Sequence, residues 1–438
     1  MAPNIGRVRP GVKIAFGKGA PLWHSLGVMA QLHPFGAWRP PAERAREVAS
    51  VPYDVIDTTE ARAMAQGRPH SFLHVIRPEI DLPEGIDVHS DAVYARGREN
   101  LERFIREVPF TEEGEPSLYV YRLRMNGRDQ TGVVGCCSVD EYDDDRIRKH
   151  ERTRPDKEDD RTRHVVEMRC QAEPIFLAYR DRSDIDALVA EAVRTPPLYD
   201  FTADDGVSHT VWRAGKPGGL VDAFARVPLL YVADGHHRAA SASRARAHFK
   251  AGNPRHTGNE EYNRVLATLF PAGQLRILPY NRVVADLGGR SPGDFLGALG
   301  ARFPLSPAAD PAPARRGDFR VCVAEDGAPR WYGFRIEPRP EASVIAALDV
   351  SLLQDEVLSG LLGIGDPRTS PRVDFVGGIR GTAELEKRVR DERAAAGFSL
   401  FPTSLAELMA VADAGEIMPP KSTWFEPKLR SGLFIHRI

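Results

Sequence analysis

An apolar run, Leu229-Leu230-Tyr231-Val232-Ala233, breaks at Asp234-Gly235 and gives way to His236-His237-Arg238 and an alanine-rich stretch through Arg246. The pattern predicts a buried strand, a tight turn at Gly235 and a helix over 239–246. The first N–H groups of a helix have no intrahelical acceptor, and the positive end of its dipole faces the same way, so such a junction seats a phosphate. Arg238 supplies a planar fork of donors that matches phosphate oxygens, and a histidine carries protons near neutral pH. Donor-phosphate contacts are therefore expected from Gly235, His236, His237 and Arg238. Asp234 and His237 join the catalytic set, with Asp234 holding a histidine or Mg²⁺. The same residue types also suit plainer roles: Asp234 as a helix cap, Arg238 as an ion-pair partner, and the histidines as a fragment of a metal site.

A second concentration of chemistry lies at 140–164, where 18 of 25 residues are Asp, Glu, Lys or Arg and two more are His. Such a run ordinarily forms a solvated surface knit by opposite charges. Lys149, Arg152, Arg154, Lys157, Arg161 and Arg163 also have the composition of a site for several negative charges. Glu151 and the Asp156–Asp160 group have the oxygens to hold Mg²⁺ or to accept a hydroxyl proton. Cations around Glu151 are expected to lower its pKa, which makes a weaker base. Near the C-terminus, Gly415-Glu416-Ile417-Met418-Pro419-Pro420-Lys421-Ser422 imitates a nucleotide-binding P-loop. Proline stands in place of the second glycine, without the N–H or the positive φ that the phosphate cradle needs, so it is not one. Lys421, Ser422, Thr423 and Lys428 remain a compact set of donors for a phosphorylated ligand. Gly363-Ile364-Gly365 follows a helix rather than a strand and fails the dinucleotide fingerprint on context.

The residues also carry a resemblance. The turn resembles the G-E-R-R-x-x-A segment of ParB-type proteins and the G-C-H-R turn of sulfiredoxin, although His236 stands where sulfiredoxin needs its reactive cysteine. Pro34-Phe35 with Trp38-Arg39-Pro40, 51–55 (Val-Pro-Tyr-Asp-Val), His150-Glu151, the 234–238 turn and Pro420-Lys421-Ser422-Thr423 together resemble a bacterial domain-of-unknown-function family from about Leu32 onward. More distantly, the chain is similar to the archaeal free-serine kinase of the ParB/sulfiredoxin-like superfamily. The resemblance implies a phosphotransferase that uses ATP, ADP or pyrophosphate with Mg²⁺ and acts on L-serine or a similar hydroxylated metabolite, or runs in reverse on phosphoserine. It also implies that Glu151 is the base. Substrate contacts are expected from Tyr53, Asp54, His150 and Arg154, and no dedicated metal-ligand set is expected. Two rivals stand beside this function: a ParB-type nucleotide-binding switch, and a metal-dependent hydrolase built on His209, Asp234, His236 and His237.

The elements that must position these groups follow from pattern. Helices are expected at 41–49, 60–66, 90–107, 184–193, 351–362, 382–396 and 404–414. Strands are expected at 72–76, 118–124, 130–139, 174–179, 265–271, 275–279, 319–324, 331–336, 398–402 and 432–437, with a hairpin over 198–212. Irregular alternation favours an α+β fold, with a ParB/sulfiredoxin-like mixed sheet over 31–305, a Pro/Ala-rich linker at 306–316 and a smaller α/β domain over 317–438. Residues 1–30 read as a disordered leader or as residues upstream of a start at Met29. A length of 438 residues suits more than one core, and a net charge of −2 gives no global nucleic-acid footprint. The four cysteines form neither a disulfide framework nor a zinc pair. A cytoplasmic protein with a small-molecule partner, no nucleic acid, no membrane span and a homodimeric form as an option completes the expectation.

Overall fold

The computed structural model describes residues 30–438. The expected leader and the start at Met29 lie outside the described residues. The fold is mixed α+β and is built on a nine-stranded sheet and a six-stranded sheet, with two smaller ones between them.

The nine-stranded sheet runs, from one edge, Ile147–Arg148, Leu230–Asp234, Ile175–Tyr179, Arg264–Pro271, Arg128–Ser138, Tyr119–Met125, Ser208–Arg213 and Tyr199–Thr202, with Leu32–His33 added against Arg128–Ser138. Its expected hairpin forms because Asn126 and Gly127 both take positive φ (52° and 74°), the left-handed pair that matches the twist of antiparallel strands. Side chains alternate across Leu230–Asp234. Leu230 and Val232 join the core under the helices, while Tyr231 and Ala233 join the core shared with the second sheet. Burial on both faces explains why this strand reads as a continuous apolar run.

The six-stranded sheet is antiparallel throughout, in the order Ser306–Pro307, Ala328–Arg335, Asp318–Glu325, Ala396–Leu400, Tyr280–Val284 and Val373–Gly377. It draws strands from both sides of 306–316, so that segment is an excursion within one sheet rather than a linker. The C-terminal segment returns to the first half of the chain. Trp424–Phe425 pairs with Ile277–Leu278, Ser431 bridges Ser50, and Ile435–Arg437 pairs with both Ala37–Arg39 and Cys170–Gln171.

Several local expectations are corrected. The strand expected at 72–76 is a helical turn, Leu73–Ile76, with Leu73, Val75 and Ile76 all buried; a short run apolar on every side carries no period to separate helix from strand. The helix expected over 351–362 is an α-turn, Asp349–Leu353, continued by a π-helical turn, Gln354–Ser359. The helix expected over 382–396 stops at Arg390 so that Ala396–Leu400 can enter the sheet. No helix among the described residues is long and apolar enough to cross a membrane.

Candidate functional site

Two strands place the central residues. Ile147–Arg148 lies parallel to Leu230–Asp234, with Leu230 opposite Ile147 and Tyr231 opposite Arg148. Parallel strands end on the same edge, where α/β proteins gather their ligands. The loop that begins at Lys149 and the turn at Asp234-Gly235 therefore emerge side by side. Gly235 takes φ +90°, and a Cβ there would stand 3.0 Å from the guanidinium carbon of Arg238. The helix His236–Ala251 starts immediately afterwards, with its amino end at this edge.

Asp234 accepts from Lys428 Nζ at 3.2 Å and faces Arg238 Nη2 at 3.6 Å. Burial works to raise its pKa, but the two cations outweigh that and hold the carboxyl well below the usual range. The C-terminal segment thus reaches the turn directly. Arg238 is 9 % exposed, donates through Nη1 to the Pro174 carbonyl at 2.7 Å and faces Asp234 through Nη2. These contacts engage part of the fork expected to meet phosphate, and its Nε has no partner among the described residues.

His150 and His236 are 2 % and 6 % exposed, with ring centroids 4.5 Å apart and planes crossing at 89°. His236 Nε2 is buried without a hydrogen-bond partner among the described residues, while the Val232 backbone lies within reach of the His150 ring. Burial pushes His150 down to about 4 and His236 well below its ordinary value, so both imidazoles are neutral. Thr423 Oγ1 lies 3.5 Å from His150 Nε2, and the His150 carbonyl accepts from Met418 N at 2.8 Å.

Glu151 corrects the expectation of a lowered pKa. Burial raises it, and the negative charges of Asp234 and Asp54 add to that, against the opposing pull of Lys421 and Lys428. A carboxylate shifted this way is a better base. A cavity of about 360 Å³ opens beside it, lined by Arg148, Lys149, Arg152, Thr153 and Ile417. Lys149 is spent on Asp145 at 2.7 Å, and Arg148 and Arg152 line the same cavity.

The other predicted residues divide between the site and the frame. His237 Nε2 accepts from the backbone N–H of Arg154 at 3.1 Å, and burial lowers its pKa against the opposing charges of Asp54 and Glu158. Arg154's exposed side chain pairs with Asp156 at 2.8 Å. Tyr53 is buried with the Arg161 guanidinium 4.1 Å above its ring, so it packs rather than presents. Asp54 is exposed, and its charge is felt by His237, Arg238 and Glu151. Ser422 is buried and donates to the Pro419 carbonyl at 2.6 Å, a loop-closing bond rather than a ligand contact. Lys421 sits 5.7 Å from the Tyr280 ring, and its charge acts on Glu151.

The charged run is only partly a solvated surface. Its second half is the helix Pro155–Met168, which packs on His236–Ala251 and buries Asp160, Arg161 and His164. Arg161 is committed to Asp160 at 2.7 Å, Arg163 to Asp91, and Asp159 to Arg244, so the expected acidic Mg²⁺ group is consumed by internal pairs. His209 is absent from the site: Tyr121 and Arg430 occupy its two ring nitrogens, at 2.8 and 3.1 Å. The hydrolase set of His209, Asp234, His236 and His237 therefore does not assemble. A different set does. Ligand atoms of His150, Glu151 and His236 all lie within 4.8 Å of one another. The sequence marked His150 as a substrate contact through the His150-Glu151 motif but not its meeting with His236, because the pairing of a two-residue edge strand leaves no period.

Residues 32–351 match the family described as protein of unknown function (DUF1015). No curated protein matches the chain in sequence. Among solved structures, a free serine kinase variant in complex with AMP aligns at 12% identity over 69% of this chain and 92% of that one, with a TM-score of 0.34. SbnI with a C-terminal truncation, from Staphylococcus aureus, aligns at 14% identity over 69% and 87%, with a TM-score of 0.36. A conserved hypothetical protein from Pyrococcus furiosus aligns at 12% over 69% and 95%, with a TM-score of 0.34.

Proposed function

We propose that this protein, which belongs to the DUF1015 family, is a small-molecule phosphotransferase acting on L-serine or a similar hydroxylated metabolite. The observation that carries the proposal is the convergence on one sheet edge of a helix amino end, Lys428 on Asp234, Lys421 and the buried-side carboxylate of Glu151. Phosphoryl transfer is mostly positioning and charge neutralisation, and these groups divide that work. The N–H groups at His236 and His237, with Lys421 and Lys428, face the donor's phosphate oxygens. Arg148 and Arg152 supply positive charge in the adjoining cavity, which suits an acceptor with a carboxylate of its own. Glu151 takes the hydroxyl proton as the new oxygen–phosphorus bond forms and the bond from that phosphorus to the donor's bridging oxygen breaks, releasing the shortened donor.

Mg²⁺ supplies charge neutralisation between donor phosphates when bound. Asp54 is the carboxylate suited to approach it, since Asp234 is already held by Lys428 and Glu151 takes the substrate proton. The phosphate donor is ATP, ADP or pyrophosphate. Incubating the protein with L-serine, Mg²⁺ and each donor in turn, followed by ³¹P NMR, should yield O-phosphoserine with one of them. Glu151→Gln should slow that formation by about 10²–10⁴-fold, the usual contribution of a general base. No transfer by the wild type with any donor would remove the proposal; nucleotide hydrolysis without transfer would replace it with a nucleotide switch.

A further inference from the structure

We infer that His150, Glu151 and His236 form a binding site for one divalent transition-metal ion. Three independent features support it. The donor atoms of the three side chains lie within 4.8 Å of one another. Metal–nitrogen and metal–oxygen bonds of about 2.0–2.2 Å place the ligands of one ion no more than about 4.3 Å apart, so a small rotation of a side chain completes the set. Both histidines are buried, and His236 Nε2 has no hydrogen-bond partner among the described residues. A buried imidazole nitrogen that bonds to nothing costs free energy, and protein interiors avoid such orphans unless something else satisfies them. Finally, the backbone fixes the arrangement, because the parallel pairing of Ile147–Arg148 with Leu230–Asp234 delivers His150-Glu151 and His236 to the same edge.

The donor chemistry selects the ion class. Two imidazoles and one carboxylate suit Zn²⁺, Fe²⁺, Co²⁺ or Mn²⁺, whereas Mg²⁺ and Ca²⁺ prefer oxygen alone. Three protein ligands leave at least one position open on the ion, as in a reactive rather than a closed structural site. The surrounding charges are balanced. Lys421 and Lys428 act on Glu151 from one side, and Asp54 and Asp234 from the other. Thr423 stands at 3.5 Å from His150 Nε2, where its hydroxyl orients the ring.

The site does not depend on the phosphotransferase proposal and constrains it at one point. Glu151 bonded to a transition metal is not available to accept a hydroxyl proton. Occupancy by such an ion and base catalysis by Glu151 are therefore alternatives, and Zn²⁺ is expected to inhibit transfer that Mg²⁺ supports.

The test is a Co²⁺ titration of full-length protein carrying no histidine tag, read by visible d–d absorption with no phosphate donor present. The expected result is saturation at one equivalent, displacement by Zn²⁺ and no displacement by excess Mg²⁺. Glu151→Gln, at a half-buried position, should weaken binding by more than the ~10–100-fold typical of losing an outer-shell partner. His236→Gln should abolish the absorption bands, with circular dichroism confirming that the variant is folded. Absence of one-equivalent binding by the wild type, or undiminished binding in folded Glu151→Gln, would overturn the assignment. Cobalt binding without any phosphotransfer would retain the metal site and discard the kinase, and the converse result would do the opposite.

Discussion

Arg238 shows how far a residue type can mislead about a role. Its position at the head of a helix suggests a free phosphate fork, yet it is buried between the Pro174 carbonyl and Asp234. Removing it strips Asp234 of one of its two cations and leaves a buried carbonyl without its donor. Arg238→Ala should therefore destabilise the protein by roughly 3 kcal/mol, in the range seen when one member of a buried charged pair is deleted. Urea unfolding of the two proteins checks this, and an unchanged midpoint with lost phosphate binding would return Arg238 to the ligand set. Glu151 carries the opposite lesson. Burial raises its pKa where charge counting alone expected cations to lower it, because desolvation and the negative charges of Asp234 and Asp54 outweigh the pull of Lys421 and Lys428.

Helix Asp349–Leu353 offers an element-scale prediction separate from the site. Asp349 is buried at its first turn and accepts from Gly317 N through both oxygens at 3.0 Å. Burial pushes its pKa up to about 6, with Glu407 adding to the rise. The folded state then holds a proton that the unfolded state has released, so the stabilisation is full below the unfolded pKa and disappears as pH rises through about 6. The swing amounts to on the order of 2–3 kcal/mol at most. Thermal melts at pH 4.5 and pH 7.5 should show the loss in the wild type and a smaller one in Asp349→Asn. Equal pH dependence in the two proteins would assign the proton elsewhere.

Across the whole molecule, the C-terminal segment is the piece on which the site depends. Lys428 touches Asp234, Thr423 touches His150, and the last strand closes a small sheet between Ala37–Arg39 and Cys170–Gln171. Binding chemistry and the packing of the first half of the chain therefore share a single strap. Lys428→Ala should weaken binding of pyrophosphate or nucleotide while costing about 1–3 kcal/mol, since the pair it breaks is only partly buried. Removing residues 421–438 should instead expose the amides of Ala37–Arg39, Cys170–Gln171 and Ile277–Leu278 to hydrogen exchange, because their strand partners leave with it. Unchanged exchange at those three strands would show that the strap does not hold them.

The turn, the hairpin at Asn126-Gly127 and the helix starts were legible because each depends on neighbours in sequence: a left-handed pair, a cap, a change from apolar run to alanine-rich period. The α+β character and the family also followed from local pattern and motif. What the sequence could not contain was the partner of each site residue. His150 and His236 are 86 positions apart and meet only because a two-residue strand lies parallel to a central one. The orphaned His236 ring nitrogen, the engagement of Arg238 and the reach of Lys428 all come from tertiary burial, which decides pKa and hydrogen-bonding partners through distances that no spacing along the chain encodes.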